Sequence, residues 1–271
     1  MPQAEIARRL HNLSAEAFQG RRLNPAAQPL CRSLVEQFQS LGENCEFGFL
    51  QRFFAAEPLD LFRFSGVTPS GIATALETRF SAFQDPANLA IEFEGAFENG
   101  QPQMAVAVNA YGFRFHAGNM PAGTSFDDVK AAQRKKLLLL ARKFLEDLAC
   151  GERIFLCRYN ASYAEDVAHL AKIMRTFGPT NLLWVTLEEP GKPSGTVERI
   201  SDGFMRGYID RYAEPRALNQ AMVCRLRRHY RSFAAQFQKL GGLSAPAWLA
   251  VCCNAYLVHI DRPDPLSVEA H

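Results

Sequence analysis

The sequence predicts an α/β fold, a mixed sheet with a parallel strand–helix–strand crossover, flanked by helices. Three observations lead there. Ile154-Phe155-Leu156-Cys157 and Leu182-Leu183-Trp184-Val185 are short apolar runs on either side of a helical pattern from Tyr163 to Phe177, the order of a right-handed parallel crossover. Leu89 to Phe93, Met104 to Val108 and Phe113 to His116 read as three strands, with Asn99-Gly100 and Tyr111-Gly112 as the turns between them. A long helical pattern runs from Phe126 to about Ala149: Ser125 caps it, Asp127 and Asp128 suit its positive end, and Cys150-Gly151 closes it.

The remaining elements follow in chain order. Residues 4 to 20 form an amphipathic helix with Ile6, Leu10, Leu13 and Phe18 on its apolar side, and Asn24-Pro25 to Pro29 is a linker. Residues 1–29 are thus a helix and linker ahead of a single α/β domain over 30–260, with a disordered tail over 261–271. Leu34 to Phe38 is expected as a strand. Cys45 to Ala56, with Phe47, Phe49, Leu50, Phe53 and Phe54, is a buried helix stopped by Glu57-Pro58. Thr68-Pro69 opens a helix through about Phe83, and Asp85-Pro86 closes that unit. Val197 to Ile200 and Phe204 to Ile209 add edge strands, Leu218 to Leu240 is a basic helix, and Ala245 to Val258 is an apolar one. Trp184 and Trp248 fall in apolar runs and belong to the core.

Bulk properties exclude several function classes. The chain has 271 residues, 48% hydrophobic and 21% charged, enough for a substantial core. A formal net charge of +2 makes no global electrostatic case for nucleic acid or an acidic membrane. The basic positions of the 126–149 and 218–240 helices read as solvated faces. Met1 to Ile6 lacks the apolar core of a secretory signal, and runs such as Leu137 to Ala141 are too short to span a bilayer, so the expectation is cytoplasmic. Seven cysteines, at 31, 45, 150, 157, 224, 252 and 253, are expected as thiols. Without a C-x-x-C or H-x-x-x-H pair, neither a metal nor a cofactor is expected.

The chemistry concentrates at Ser40-Leu41-Gly42-Glu43-Asn44-Cys45-Glu46-Phe47-Gly48. Cys45 follows a Gly-containing turn at a helix start, where backbone N–H groups and the helix dipole favour thiolate. Glu43 and Glu46 flank it and work against that ionisation. His116, at the end of its strand, is the candidate base. A third group must orient the imidazole, and Asp60, Asn119 and Asn160 qualify on residue type. The Cys45 N–H, with the side chain of Asn44 or Gln39, would stabilise an oxyanion. Glu43, Asn44, Asn119 and Arg63 are the candidate substrate contacts.

Ser40-Leu41-Gly42-x-Asn44-Cys45, followed by the aromatic helix and Pro58-Leu59-Asp60-Leu61, resembles an uncharacterised bacterial domain family labelled papain-like cysteine peptidases. In that family a Ser-Leu-Gly-x-x-Cys motif precedes a Pro-Phe-Asp-Trp-like motif, and a strand-end histidine, a long basic helix and a strand–helix–strand unit come later. The similarity covers most of residues 33 to 212. It implies Cys45 as nucleophile, His116 as base and Asp60 at the acidic position. Leu59 and Leu61 replace the aromatic positions around Asp60, and Ala117 stands where members often have Asp.

The expected function is a cysteine-dependent hydrolase or transferase acting on a peptide or a glycan. The alternative is a non-catalytic α/β module that binds a glycan, a nucleotide-sugar or a protein partner around residues 42 to 66.

Overall fold

A computed structural model of the chain describes residues 8–10, 12–13, 27–96, 102–118, 124–213 and 245–260. The fold is α/β. Its helices are α1 (Gln28–Val35), α2 (Glu46–Phe53), α3 (Pro69–Glu77), α4 (Phe126–Cys150), α5 (Ala164–Arg175) and α6 (Ala245–Ile260). Its strands are β1 (Phe38–Ser40), β2 (Ser65–Gly66), β3 (Leu89–Ala96), β4 (Pro102–Val108), β5 (Phe113–Gly118), β6 (Ile154–Arg158), β7 (Asn181–Leu187), β8 (Val197–Ser201) and β9 (Phe204–Ile209). One sheet has five strands in the order β1-β6-β7-β9-β8 and the other four in the order β2-β5-β4-β3. The β6–α5–β7 unit is the expected parallel crossover. Among the described residues no helix is long and apolar enough to cross a membrane.

The chain divides into two compact units. One comprises residues 1–38, 49–56 and 183–271, and the other residues 39–48 and 57–182. In the first unit, α6 is buried on several sides, with Trp248, Leu249, Val251, Cys252 and Cys253 sealed from solvent. It lies so close to β9 that a Cβ at Gly207 would sit 2.8 Å from Val251 Cγ1. Gln51 is fully buried, and its amide donates to the carbonyls of Val35 (3.1 Å) and Phe38 (2.9 Å), which satisfies main-chain acceptors at the end of α1 and the start of β1.

The second unit has an aromatic core. Phe62 stacks at 6.2 Å on Phe115 and meets Phe113 and Phe144 edge-on, each at 5.3 Å between ring centroids. The antiparallel sheet supplies Phe113 and Phe115 to this cluster, and α4 supplies Phe144. A capping box at Ser125 and Asp128 opens α4, and Gly151 (φ 71°) ends it.

Three expectations are corrected. Leu34 to Phe38 is not one strand: Leu34 and Val35 end α1, and only Phe38–Ser40 pairs as β1. Pro29 starts that helix at its first turn, and Cys31, Leu34 and Val35 fall on one buried helical face. The helix opened at Thr68-Pro69 stops at Glu77, not Phe83. Arg79 and Phe80 turn left-handed (φ 48° and 59°), and a short 3-10 turn follows over Ser81–Phe83. Tertiary bonds hold that break: the Tyr111 hydroxyl lies 2.8 Å from Thr78 Oγ1 and accepts from the Ala82 N–H. Finally, β9 is not an edge strand but lies between β7 and β8.

Smaller shifts occur at element ends. α2 starts at Glu46 and ends at Phe53, where Ala55 (φ 59°) turns the chain, and β5 continues past His116 to Gly118. The expected helix over 4–20 is described only at residues 8–10 and 12–13, which are helical. Asn99-Gly100, the 218–240 helix and the 261–271 tail lie outside the described residues.

Candidate active site

The site is built where β1 ends. The Leu41 N–H donates to Leu156 O (2.7 Å), and two residues further along both chains Glu43 meets Arg158. The chain therefore advances in the same sense past both strands, and the ends of β1 and β6 carry their side chains to one place. The path then reverses through two left-handed residues, Gly42 (φ 79°) and Glu43 (φ 75°). Gly42 is favoured on two counts. A left-handed φ is strained for a residue with a Cβ, and a Cβ there would lie 2.7 Å from both Ser65 Oγ and Val67 Cγ2. Ser40 Oγ accepts from the Gly42 N–H (3.2 Å), and Asn44 Oδ1 accepts from the Glu46 N–H (2.9 Å), which opens α2. Cys45, half-buried, is the residue immediately before that helix.

Charge at this turn is concentrated on Arg158. Its Nε lies 2.9 Å from Glu43 Oε2, its Nη2 bonds the same oxygen, and Nε lies 3.8 Å from Glu46 Oε2. Glu46 is only 1% exposed. Burial raises the Glu43 carboxyl above its ordinary range, against the pull of Arg158. The flanking residues of β6 are neutral: burial pushes the Cys157 thiol and the Tyr159 phenol far up.

Asp60 comes back to the end of β1, just before this turn. Its carboxyl accepts from the Ser40 main-chain N–H. Burial lifts it from 3.8 to about 7, over the opposing charges of Arg63, Lys143 and Arg153 and the Ser40 bond. Its Oδ2 is sealed from solvent and has no hydrogen-bond partner. The amide of Gln39, next to Ser40, is likewise buried at 2% exposure, and neither its Oε1 nor its Nε2 has a partner.

Glu43, Asn44 and Cys45 thus stand on one turn, and Asp60 meets Ser40 at the end of the strand that leads into it. Arg63 is nearby but committed. At 5% exposure it pairs with Glu57 (2.5 Å), donates to Gly48 O (3.1 Å) and covers the Phe64 ring. His116 sits in β5 opposite Ala105, one residue past Phe115, which pairs with Ser65. Ser65 is also the residue that Gly42 abuts, so β2 lies between the cysteine turn and the histidine strand. The His116 side chain and all of Asn119 lie outside the described residues. Asn160 instead caps the 3-10 turn after β6, its Oδ1 accepting from the Ser162 N–H (3.0 Å).

Sequence reasoning missed Arg158. The signal was present, since a lone cation closes an otherwise apolar strand, Ile154 to Cys157. Such a residue is expensive to bury without anionic partners. Among the described residues no three His, Cys, Asp or Glu side chains cluster so as to hold a metal ion. No protein-family model matches this chain, and no curated protein is significantly similar to it.

Proposed function

We propose that this chain is a cysteine-dependent hydrolase or transferase of the papain-like kind, with Cys45 as nucleophile, His116 as base and Asp60 as the group that orients the imidazole. The observation that carries the reading is the Asp60 carboxyl. It is held by the Ser40 N–H in the turn that leads to Cys45, and its Oδ2 is sealed from solvent without a donor. A buried acceptor of this kind calls for an N–H partner, and an imidazole N–H is the donor that also completes a thiol site.

In the proposed cycle, imidazole takes the Cys45 proton and the thiolate attacks an electrophilic carbonyl carbon. The oxyanion is met by the Cys45 main-chain N–H. The intermediate collapses to a thioester as the leaving group takes the proton back from imidazolium. Water then releases the acyl group in a hydrolase, and another nucleophile does so in a transferase. A peptide or a glycan bearing an acyl or amide group fits this chemistry.

Competitive labelling with iodoacetamide at neutral pH, read by peptide mass spectrometry, tests the reading. Cys150 is exposed and serves as the internal reference, while Cys31, Cys157, Cys252 and Cys253 are buried. Cys45 should label ahead of Cys150 although it is less accessible, and Cys45→Ala should keep the native circular dichroism and abolish turnover of acyl substrates. Labelling of Cys150 with Cys45 left unmodified would end the enzymatic reading in favour of a binding module.

A further inference from the structure

We propose that Arg158 is a positioning residue that keeps the Cys45 thiol ionisable by drawing onto one guanidinium the two carboxylates that flank it in sequence. The inference rests on the reading of Cys45 as a reactive thiol and adds to it the residue that makes such a thiol compatible with its neighbours. Glu43 and Glu46 bracket Cys45, and two unscreened carboxylates at that spacing oppose formation of a third negative charge. In the fold neither is unscreened. Glu43 Oε2 takes both Nε and Nη2 of Arg158, and Glu46 Oε2 lies 3.8 Å from Nε.

Among the described residues, neutral and already engaged side chains stand around this pair. On β6 and just beyond it, Cys157 and Tyr159 face Glu43, and burial keeps both neutral. The Tyr159 hydroxyl is spent on Val67 O (2.9 Å). On the Asp60 segment the carboxyl is met by Arg63, Lys143 and Arg153. Of these, Arg63 is engaged by Glu57, and Lys143 pairs with Asp147. β2 contributes Ser65, which carries no charge and donates to Phe62 O (2.8 Å). Arg158 itself is 11% exposed, so its field is little screened by water. The ion pair anchors the Glu43 side chain at a left-handed position that otherwise favours glycine.

The test is the pH profile of Cys45 alkylation in the full-length chain, measured for wild type, Arg158→Gln, Arg158→Lys, Glu43→Gln and the Arg158→Gln/Glu43→Gln double variant. Arg158→Gln should raise the midpoint by about one pH unit, roughly a tenfold loss of labelling rate below it. Arg158→Lys should restore most of that shift, and the double variant should return part of the way toward wild type because one of the two carboxylates has gone. An unmoved midpoint in folded Arg158→Gln would overturn the proposal. Should Arg158→Gln fail to fold, Glu43→Gln decides: with the guanidinium retained it should lower the midpoint, and no movement would overturn the proposal equally. A wild-type Cys45 that labels no faster than Cys150 would instead defeat the proposed function, while the differences between variants would still report on Arg158.

Discussion

The carboxyl of Asp60 accepts a hydrogen bond from the main-chain N–H of Ser40, which ties the Pro58-Leu59-Asp60-Leu61 segment to the turn that presents Cys45. The bond brings a titratable group into a place where its charge is costly. Burial outweighs three nearby cations and lifts the carboxyl to about 7.

The pH dependence of stability follows from that shift. The folded state holds the Asp60 proton more tightly than the unfolded state, whose carboxyl titrates near 3.8. This contribution is therefore fully present below the unfolded value and is lost as pH rises through about 7. Denaturant unfolding measured from pH 4 to 7 should show a declining component with a slope of up to about 1.4 kcal/mol per pH unit. Asp60→Asn should remove that component and also depress turnover. An unchanged slope in Asp60→Asn would assign the dependence to other groups.

Gly42→Ala should destabilise the turn by about 1–3 kcal/mol, because the new Cβ meets a left-handed φ and lies 2.7 Å from Ser65 Oγ and Val67 Cγ2. The effect should be larger on Cys45 labelling than on global stability, since the turn sets the start of α2. Chemical denaturation together with labelling kinetics measures both. Equal labelling rates in the two proteins would mean that the turn relaxes without moving the thiol.

Phe62→Ala should cost about 3–5 kcal/mol, because the ring is fully buried and touches rings from β5 and α4 at once. Phe62→Leu should recover much of that loss. Thermal unfolding monitored by near-ultraviolet circular dichroism reads the change, and a loss below about 1 kcal/mol would mean that the cluster closes over the gap.

Periodicity and turn chemistry decide much of this protein along the chain alone. The β6–α5–β7 crossover, the three antiparallel strands and the capped α4 all follow from local pattern, because each carries its own start and stop signals, from Ser125 to Gly151 in the clearest case. The break at Arg79 and Phe80 could not be read in this way. It depends on the Tyr111 hydroxyl, which is remote in sequence from the residues it bonds. Nor could β9 be distinguished from an edge, since strand order is a matter of which partners close the ladder.

The candidate site divides along the same line. The Gly-turn cysteine at a helix start is a local feature, legible in Ser40 to Gly48. What tertiary structure decided is electrostatic. The fold determined that the carboxylates on either side of Cys45 meet Arg158 from another strand, and that Asp60 loses its water while gaining the Ser40 N–H. Charge interactions and desolvation depend on distance through space and on burial, and neither quantity is defined along a chain until it has folded.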